Sequence, residues 1–474
     1  MSNSLQSASI LILFLIILGT YFWYIRSKNK SYRLQRQINL SHDFSTVNEF
    51  LARGKKVLIF APHQDDEVLM CAGIITHTLA NGGEVKIVIV TNGDKKGRKT
   101  GLKRIKESIK AIKVLGLSAE NIVFLGYGST EKDIHTSFMN RLYQASAETV
   151  IASHVGTQTY SVPEIPEYHY QKFGQHASYT NASLRQDLEL VIKEYHPDHI
   201  FTASLYDTHP DHFRLYQFIV EAILTTKRID PLFSPLLHEY LIHSHDGDDY
   251  WPVRDAKNSP LVPFTKPATL ETNTLMKWEN RESFTVPLSM QNVPRSKNKK
   301  YQAISQYRSQ RPTGNNHYLY SYVKQDEIFW VKDFSNIAFL AEVSVSSENL
   351  STGQLGSKAI DGINGGYPYF PENEWVTQGE ATDTWIKLNW PVPYIVYKIV
   401  LYDRPNPKES IASATLTFSD GSVLEVGPLA TNGQGYAINF TPKIVNWIKL
   451  TVDKAIGNNP GLSEFEVYGE KQCE

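Results

Sequence analysis

The chain has 474 residues, more than one ordinary domain, so two or three units of roughly 150 residues are expected. Its composition, 41% hydrophobic and 20% charged, is that of a globular protein. A formal charge of -1 offers no basic footprint, which argues against nucleic acid as a partner. Because Cys71 and Cys473 are the two cysteines, a disulfide framework is excluded and any metal must be held by histidines and carboxylates.

The N-terminal segment 8–25 is uncharged and almost wholly apolar, and it is long enough to cross a hydrocarbon layer of roughly 30 Å. Its neutral start and aromatic end are typical of an uncleaved anchor, and a cleaved signal peptide or a buried core helix are the alternatives. We therefore predict one transmembrane helix over 8–25, followed by a juxtamembrane linker over 26–52.

Strand-like and helix-like patterns alternate through the next part of the chain. Strand patterns cover 55–60, 84–91, 122–125 and 199–203, and helical patterns lie between them. This alternation predicts an α/β fold with a Rossmann-like parallel sheet, whose reactive side chains gather at the carboxyl ends of the strands.

From about residue 341 the pattern changes to short alternating strands separated by Gly, Pro, Asn and Asp. We predict an all-β jelly-roll sandwich over 342–470. Trp385 and Trp447 lie within strand patterns and are predicted to be core residues. A loop rich in proline and glycine carries four aromatic residues that are candidates for stacking on a sugar: Tyr367, Tyr369, Phe370 and Trp375.

Two clusters of reactive residues lie at predicted strand ends, the sequence APHQDDE at 61–67 and the sequence DTHPDH at 207–212. A catalytic zinc ion usually has three protein ligands and one water molecule, and His63, Asp66 and His212 could supply the three. Asp65 is the nearest candidate for a general base. His209 is a candidate for stabilising the oxyanion and protonating the leaving amine.

Each cluster taken alone is more often a turn or a helix cap, and only their joint occurrence in one α/β unit favours a metal site. Glu67 is interpreted as an acidic residue favoured in the first turn of a helix. Asp207 is either a turn residue or a partner that orients His209 or His212. Eight further histidines that match neither motif are interpreted as structural: His77, His154, His169, His176, His196, His238, His243 and His245.

The two clusters, in this order, resemble the signatures of the PIG-L, or LmbE-like, family of zinc-dependent de-N-acetylases, namely an Ala-His-Pro-Asp-Asp-Glu type motif and a His-x-x-His motif. Similarity continues at 104–107, 124–127 and 307–310, so the resemblance covers about 53–332 and predicts a deacetylase domain there. Gln64 stands where the family usually has proline. The resemblance implies that the zinc ligands are His63, Asp66 and His212. It also implies that Asp65 is the general base, that His209 stabilises the oxyanion and that Arg104 contacts the substrate.

Residues 342–470 resemble the discoidin-like, or galactose-binding-like, β-sandwich, through segments such as 359–362 and 464–469. Modules of this kind commonly bind carbohydrate or anionic surfaces. Deleting the chain from Ala341 onward is therefore predicted to spare hydrolysis of a small acetylated sugar and to weaken action on a polymer, because a tethered binding module raises the local substrate concentration.

The predicted function is zinc-dependent hydrolysis of an N-acetyl group on an N-acetylglucosamine-type sugar in a glycolipid or polysaccharide. The alternatives are a carbohydrate-binding surface protein with an inactive deacetylase-like domain, and a zinc amidase acting on a small thiol-sugar conjugate. The basic residues after the anchor favour a single-pass protein with its body on the cytoplasmic face, whereas a glycan-binding module favours the extracellular face. We favour the cytoplasmic face, and the other side stays open.

Overall fold

The computed structural model describes residues 54–129, 133–134, 136–254, 260–271, 276–291, 295–310 and 318–472. The predicted transmembrane helix at 8–25 and the linker at 26–52 lie outside these residues and stay predictions. Within the described residues, no helix is both long enough and apolar enough to span a bilayer.

The first sheet explains the alternation in the sequence. Its strands are β1 (Lys56–Ala61), β2 (Glu84–Thr91), β3 (Ile122–Tyr127), β4 (His199–Ala203), β5 (Leu236–Tyr240), β6 (Glu282–Thr285) and β7 (Asp326–Lys332). They lie in the order β3-β2-β1-β4-β5-β7-β6. The first five strands are parallel. Strands β1 to β4 correspond to the four predicted strands, whereas β5 has no counterpart among them. Beyond β5 the sheet continues with β7, which pairs antiparallel with both β5 and β6. The sheet is therefore mixed, whereas a parallel sheet was predicted.

The described helices are α1 (Asp66–Ala80), α2 (Arg98–Leu115), α3 (Phe138–Gln144), α4 (Tyr168–Phe173), α5 (Asn181–Tyr195), α6 (Pro210–Ile229) and α7 (Lys299–Ile304). Strand β1 is a continuous apolar run, Val57 to Ala61, and these residues are fully buried, as expected for a central parallel strand covered on both faces. Strand order reverses around β1, because β2 lies on one side and β4 on the other. The loops after β1 and β4 therefore meet at the carboxyl edge of the sheet, where ligands bind in open α/β sheets.

The C-terminal part is an antiparallel β-sandwich, as predicted. Its strands are β8 (Glu342–Val345), β9 (Trp375–Val376), β10 (Trp385–Asp403), β11 (Ser410–Phe418), β12 (Val423–Val426), β13 (Tyr436–Ile456) and β14 (Gly461–Lys471). The long strands β10 and β13 run side by side with irregular register between Asn389 and Tyr394, and their inward residues form a separate apolar core.

The prediction that Trp385 and Trp447 are core residues is wrong. Each precedes a fully buried isoleucine, Ile386 or Ile448, so strand alternation turns the tryptophan to the opposite, partly exposed face. There the ammonium group of Lys449 lies 4.7 Å from the centre of the Trp385 ring, and that of Lys387 lies 4.5 Å from the Trp447 ring. The two tryptophans therefore form cation–π pairs on the outer face of the sheet.

The sandwich packs directly on the α/β domain through the segment 361–374, which we call the docking loop. Ile363 and Phe370 of this loop belong to the same apolar core as residues of α6. The ring of Phe370 lies 4.9 Å from that of Phe213. Gly362 has a φ of +77°, and a Cβ atom there would lie 3.2 Å from Val220, so glycine permits close approach to α6.

Two polar contacts strengthen this interface. Arg214 is fully buried, and its Nη2 donates to Glu372 Oε1 at 2.8 Å. Gln217 Nε2 donates to Asn373 Oδ1 at 3.0 Å. The sandwich is thus packed into the α/β domain rather than held beside it by a linker.

Candidate metal site

The loop after β1 is shaped by hydrogen bonds to its neighbours. Pro62 O accepts hydrogen bonds from the backbone N–H and the hydroxyl group of Thr91, which joins this loop to the end of β2. Asp65, the residue before α1, has a φ of 118°, a backbone conformation that residues other than glycine rarely adopt. Its backbone N–H donates to Glu67 Oε2 at 3.0 Å. Strained residues of this kind cluster at functional sites, where the surrounding structure holds them.

The loop after β4 is organised by Asp207. Its Oδ1 accepts a hydrogen bond from the His209 backbone at 2.9 Å, and its Oδ2 accepts bonds from Ile242 and His243, both at 2.9 Å, in the loop after β5. His209 is the N-cap of α6 and Pro210 occupies the first helical position, where its missing N–H costs nothing. His212 therefore lies in the first turn of α6, at the carboxyl edge of the sheet.

Three predicted ligands come together at this edge. His63 Nδ1 lies 3.1 Å from His212 Nε2 and 3.5 Å from Asp66 Oδ2. His212 Nε2 lies 3.4 Å from Asp66 Oδ2. Ligand atoms about 2.1 Å from a tetrahedral ion lie about 3.4 Å from one another, so this triangle has the dimensions of a three-ligand zinc site.

His209 lies close enough to this triangle to be a further candidate ligand. Ring nitrogens of His63, His209 and His212 all lie within 4.8 Å of one another, so the histidines alone also form a candidate donor group. However, His209 Nδ1 accepts a hydrogen bond from the Asp211 backbone at 3.2 Å. That bond places the proton of a neutral ring on Nε2, which makes His209 a hydrogen-bond donor next to the triangle.

Two aspartates orient the two histidines of the triangle. Asp211 Oδ2 lies 2.9 Å from His63 Nε2, and Asp207 Oδ2 lies 3.0 Å from His212 Nδ1. Each carboxylate favours a proton on the nitrogen it contacts and leaves the other nitrogen free to bind a metal, an arrangement common behind metal-binding histidines. The position of Asp207 fits the orienting role considered from sequence. Asp211 was not singled out, although its position between the two histidines of the motif was a usable signal.

Burial and charge shift the acid–base behaviour of the site. Burial lowers the pKa of His63, but Asp211 and Asp66 outweigh it and raise that pKa to about 9. Burial raises the pKa of Asp65 to about 7, against the opposing charge of Arg104. Burial also acts to raise the pKa of Asp66, yet His212 and His63 bring it below its ordinary value. The two adjacent carboxyls are therefore tuned in opposite directions by their surroundings.

Arg104 and Gln64 support the loop that carries Asp65. Arg104 Nη2 donates to the Gln64 carbonyl oxygen at 2.7 Å and lies 3.6 Å from Asp65 Oδ2. The Gln64 side chain is buried and donates to the Thr91 carbonyl oxygen at 3.1 Å. The structure thus places Arg104 beside Asp65, where it holds the loop, and Gln64 replaces the family's proline with an additional hydrogen bond.

The interpretation of Glu67 as simply an acidic residue favoured by the helix dipole is incomplete. Its carboxylate accepts the Asp65 N–H and also the hydroxyl group of buried Tyr307. Nearby, Glu107 accepts the backbone N–H of Ser309 at 3.0 Å. The segment 307–310 is therefore held against α1 and α2, and Glu67 positions the backbone of Asp65.

His243 is a site neighbour that sequence reasoning treated as structural. Its ring lies 5.2 Å from that of His212 and 5.5 Å from that of His209. His243 Nδ1 lies 2.7 Å from Asp248 Oδ1. The available signal was its position after β5, the strand next to β4.

The fold and this site define a class of protein, an α/β domain with a candidate histidine–carboxylate metal site joined to a β-sandwich. Residues 58–223 match the family model described as GlcNAc-PI de-N-acetylase, PIG-L, so this part of the chain is a PIG-L domain, as predicted. Residues 336–468 match a model described as a domain of unknown function, DUF7402. The extents predicted from sequence, 53–332 and 342–470, stay predictions.

Solved structures similar to this chain include small carbohydrate-binding modules. CBM32-1 from a family 31 glycoside hydrolase of Clostridium perfringens is 22% identical, covers 27% of this chain and 94% of its own, and has a TM-score of 0.23. The fucose-binding module SpX-3 of Streptococcus pneumoniae is 21% identical, covers 29% of this chain and 100% of its own, and has a TM-score of 0.25. A comparison with curated proteins found no match.

Proposed function

We propose that this protein is a zinc-dependent de-N-acetylase that removes the acetyl group from an N-acetylglucosamine-type sugar in a glycolipid or polysaccharide. The observation that carries the proposal is the triangle of His63 Nδ1, Asp66 Oδ2 and His212 Nε2, with Asp65 beside it. The match of 58–223 to a GlcNAc-PI de-N-acetylase model supports the reaction class and the acetamido sugar.

His63, Asp66 and His212 would hold the zinc ion. When bound, zinc supplies Lewis-acid polarisation of a carbonyl group and lowers the pKa of a water molecule. Asp65 takes a proton from the attacking water, because it is the carboxylate next to the ligands that is not itself in the triangle. The Nε2–H of His209 donates a hydrogen bond to the oxyanion that develops on the carbonyl oxygen. As the C–N bond breaks, the proton held by Asp65 passes to the leaving amine, which yields acetate and the free amino sugar. The amine is therefore protonated by Asp65 in this proposal and not by His209 as expected from sequence, because a neutral His209 ring carries no proton beyond the one on Nε2.

The first test is acetate release by the full chain from a panel of acetylated glycolipids and glycans. A carbohydrate-binding protein with an inactive domain would bind glycans without releasing acetate. A zinc amidase for small thiol-sugar conjugates would release a product only from those conjugates. Release from acetylated glycans or glycolipids distinguishes the proposed function from both alternatives.

We predict one zinc ion per chain, with the release of a proton on binding. Since the pKa of His63 in the metal-free protein is raised to about 9, its imidazole is protonated at neutral pH and must lose a proton to bind metal. From His63 alone, zinc affinity should therefore fall about tenfold per pH unit as the pH drops below 9. Against the effect of burial, Asp207 and Asp66 also raise the pKa of His212, which adds to this loss at lower pH. Titration calorimetry in two buffers of different ionisation enthalpy measures the released proton. Absence of stoichiometric metal, together with no binding or activation by added zinc, would contradict the site assignment.

We infer that the catalytic body faces the cytoplasm, because five basic residues follow the predicted anchor within 26–36 and the flank before it has none. Protease treatment of intact cells tests this inference. Protection of the folded body is the expected result. Digestion from outside would reverse the topology and make an extracellular polysaccharide the substrate.

A further inference from the structure

The docking loop brings the sandwich to the part of the α/β domain that carries the site. Phe370 packs its ring against Phe213, the residue that directly follows His212. Further along the same loop, Gly365 approaches Leu205, in the segment that leads from β4 to His209. The sandwich therefore contacts both sides of the chain segment that carries His209 and His212.

Tyr369, next to the buried Phe370, remains 67% exposed. Its ring lies 5.7 Å from the ring of His245. His245 is two residues beyond His243, whose ring contacts those of His209 and His212, and two residues span at most about 7 Å. Tyr369 thus contacts the same loop after β5 that brings His243 against His209 and His212.

The loop that carries Tyr369 is braced from within. Glu374 Oε1 accepts the Tyr367 N–H at 2.6 Å, while its Oε2 accepts a bond from Arg404 Nε at 2.9 Å. A Cβ atom at Gly366 would lie 2.0 Å from Glu374 Oε1, so glycine is required for this approach. Tyr367 is itself 43% exposed. Two tyrosine rings are therefore presented to solvent on a fixed backbone, which limits the entropy lost when a ligand binds them.

We propose that Tyr369, with Tyr367 and His245, forms a subsite for a second sugar ring of the substrate, next to the ring whose acetamido group reaches the metal site. The proposal rests on the proposed function and refines its substrate to a chain of at least two pyranose rings that contacts both domains. The apolar face of a pyranose ring packs on an aromatic ring, and hydroxyl and imidazole groups supply hydrogen bonds to its edge.

The test compares N-acetylglucosamine with its β-1,4-linked tetramer, using the full chain and three variants. In Tyr369→Ala, kcat/KM for the tetramer relative to the monosaccharide should fall about tenfold, and the Kd for the tetramer should rise by the same factor. Tyr369→Phe keeps the ring and should retain most of the preference. Tyr436→Ala removes an exposed tyrosine from β13 and should change neither quantity. Unchanged thermal unfolding midpoints show that all three variants are folded.

The outcomes separate this proposal from the proposed function. Acetate release with the same substrate ratio and the same Kd in wild type and Tyr369→Ala overturns the subsite alone. Absence of acetate release by the wild type from both sugars counts against the proposed function, and the calorimetric Kd then decides the subsite by itself. Failure of the wild type to bind the tetramer at millimolar concentration also overturns the subsite.

Discussion

Asp65→Asn is expected to reduce acetate release by about 10²–10⁴-fold while the protein keeps its zinc. The substitution removes a proton acceptor but leaves His63, Asp66 and His212 in place. Asparagine has nearly the same shape and tolerates positive φ better than most residues, so the φ of 118° at this position can be retained. Acetate release and metal content measured on the same preparation test the prediction.

Two controls sharpen this test. His212→Ala should lose both zinc and activity, because it removes a ligand. Asp383→Asn is a matched change at an exposed aspartate of the sandwich that also has positive φ, 58°, and it should leave both quantities unchanged. An Asp65→Asn protein with activity within a factor of two of wild type would exclude the general-base role.

Removing the chain from Ala341 onward is expected to prevent stable folding of the α/β domain, and with it hydrolysis of small and polymeric substrates alike. The sequence predicted that a small substrate would be spared, on the assumption of a tethered module. In the structure, truncation uncovers apolar residues of α6 and leaves the guanidinium group of buried Arg214 without Glu372. Uncovering a core face and removing a partner of a buried charge are both strongly destabilising.

A single substitution measures the same interface without truncation. Phe370→Ala should lower the free energy of unfolding by about 3 kcal/mol, the usual scale for a buried phenylalanine. Tyr369→Ala, one residue away but largely exposed, should change it by less than about 0.5 kcal/mol. Chemical denaturation of the full chain provides both values. A truncated chain that folds and hydrolyses a small acetylated sugar at the wild-type rate would restore the tether interpretation.

The elements that could be predicted are those in which local pattern and burial agree. Strands β1, β2 and β4 are rich in buried apolar residues because they are central and covered, and each reactive cluster lies in the segment that follows β1 or β4. The proximity of His63, Asp66 and His212 could also be predicted, because adjacent parallel strands place the loops that follow them side by side.

Other features depend on contacts between distant segments, which periodicity does not encode. Strands β6 and β7 join the sheet because β7 pairs with β5 and β6 pairs with β7. His243 joins the site because Asp207 ties the loop after β5 to the loop after β4. The outward direction of Trp447 required strand register, because shifting the alternation by one residue moves every side chain to the other face.

Helix α6 carries His212 in its first turn, and the same turn and the next carry Phe213, Arg214 and Gln217, which contact the sandwich. A gene fusion that exchanged the sandwich for another module would therefore also replace the surface against which the helix that carries His212 is packed. Such an exchange would require matching changes on α6 to preserve its fold. The two domains are consequently expected to have been inherited as a pair and to have changed together, unlike modules joined by a free linker.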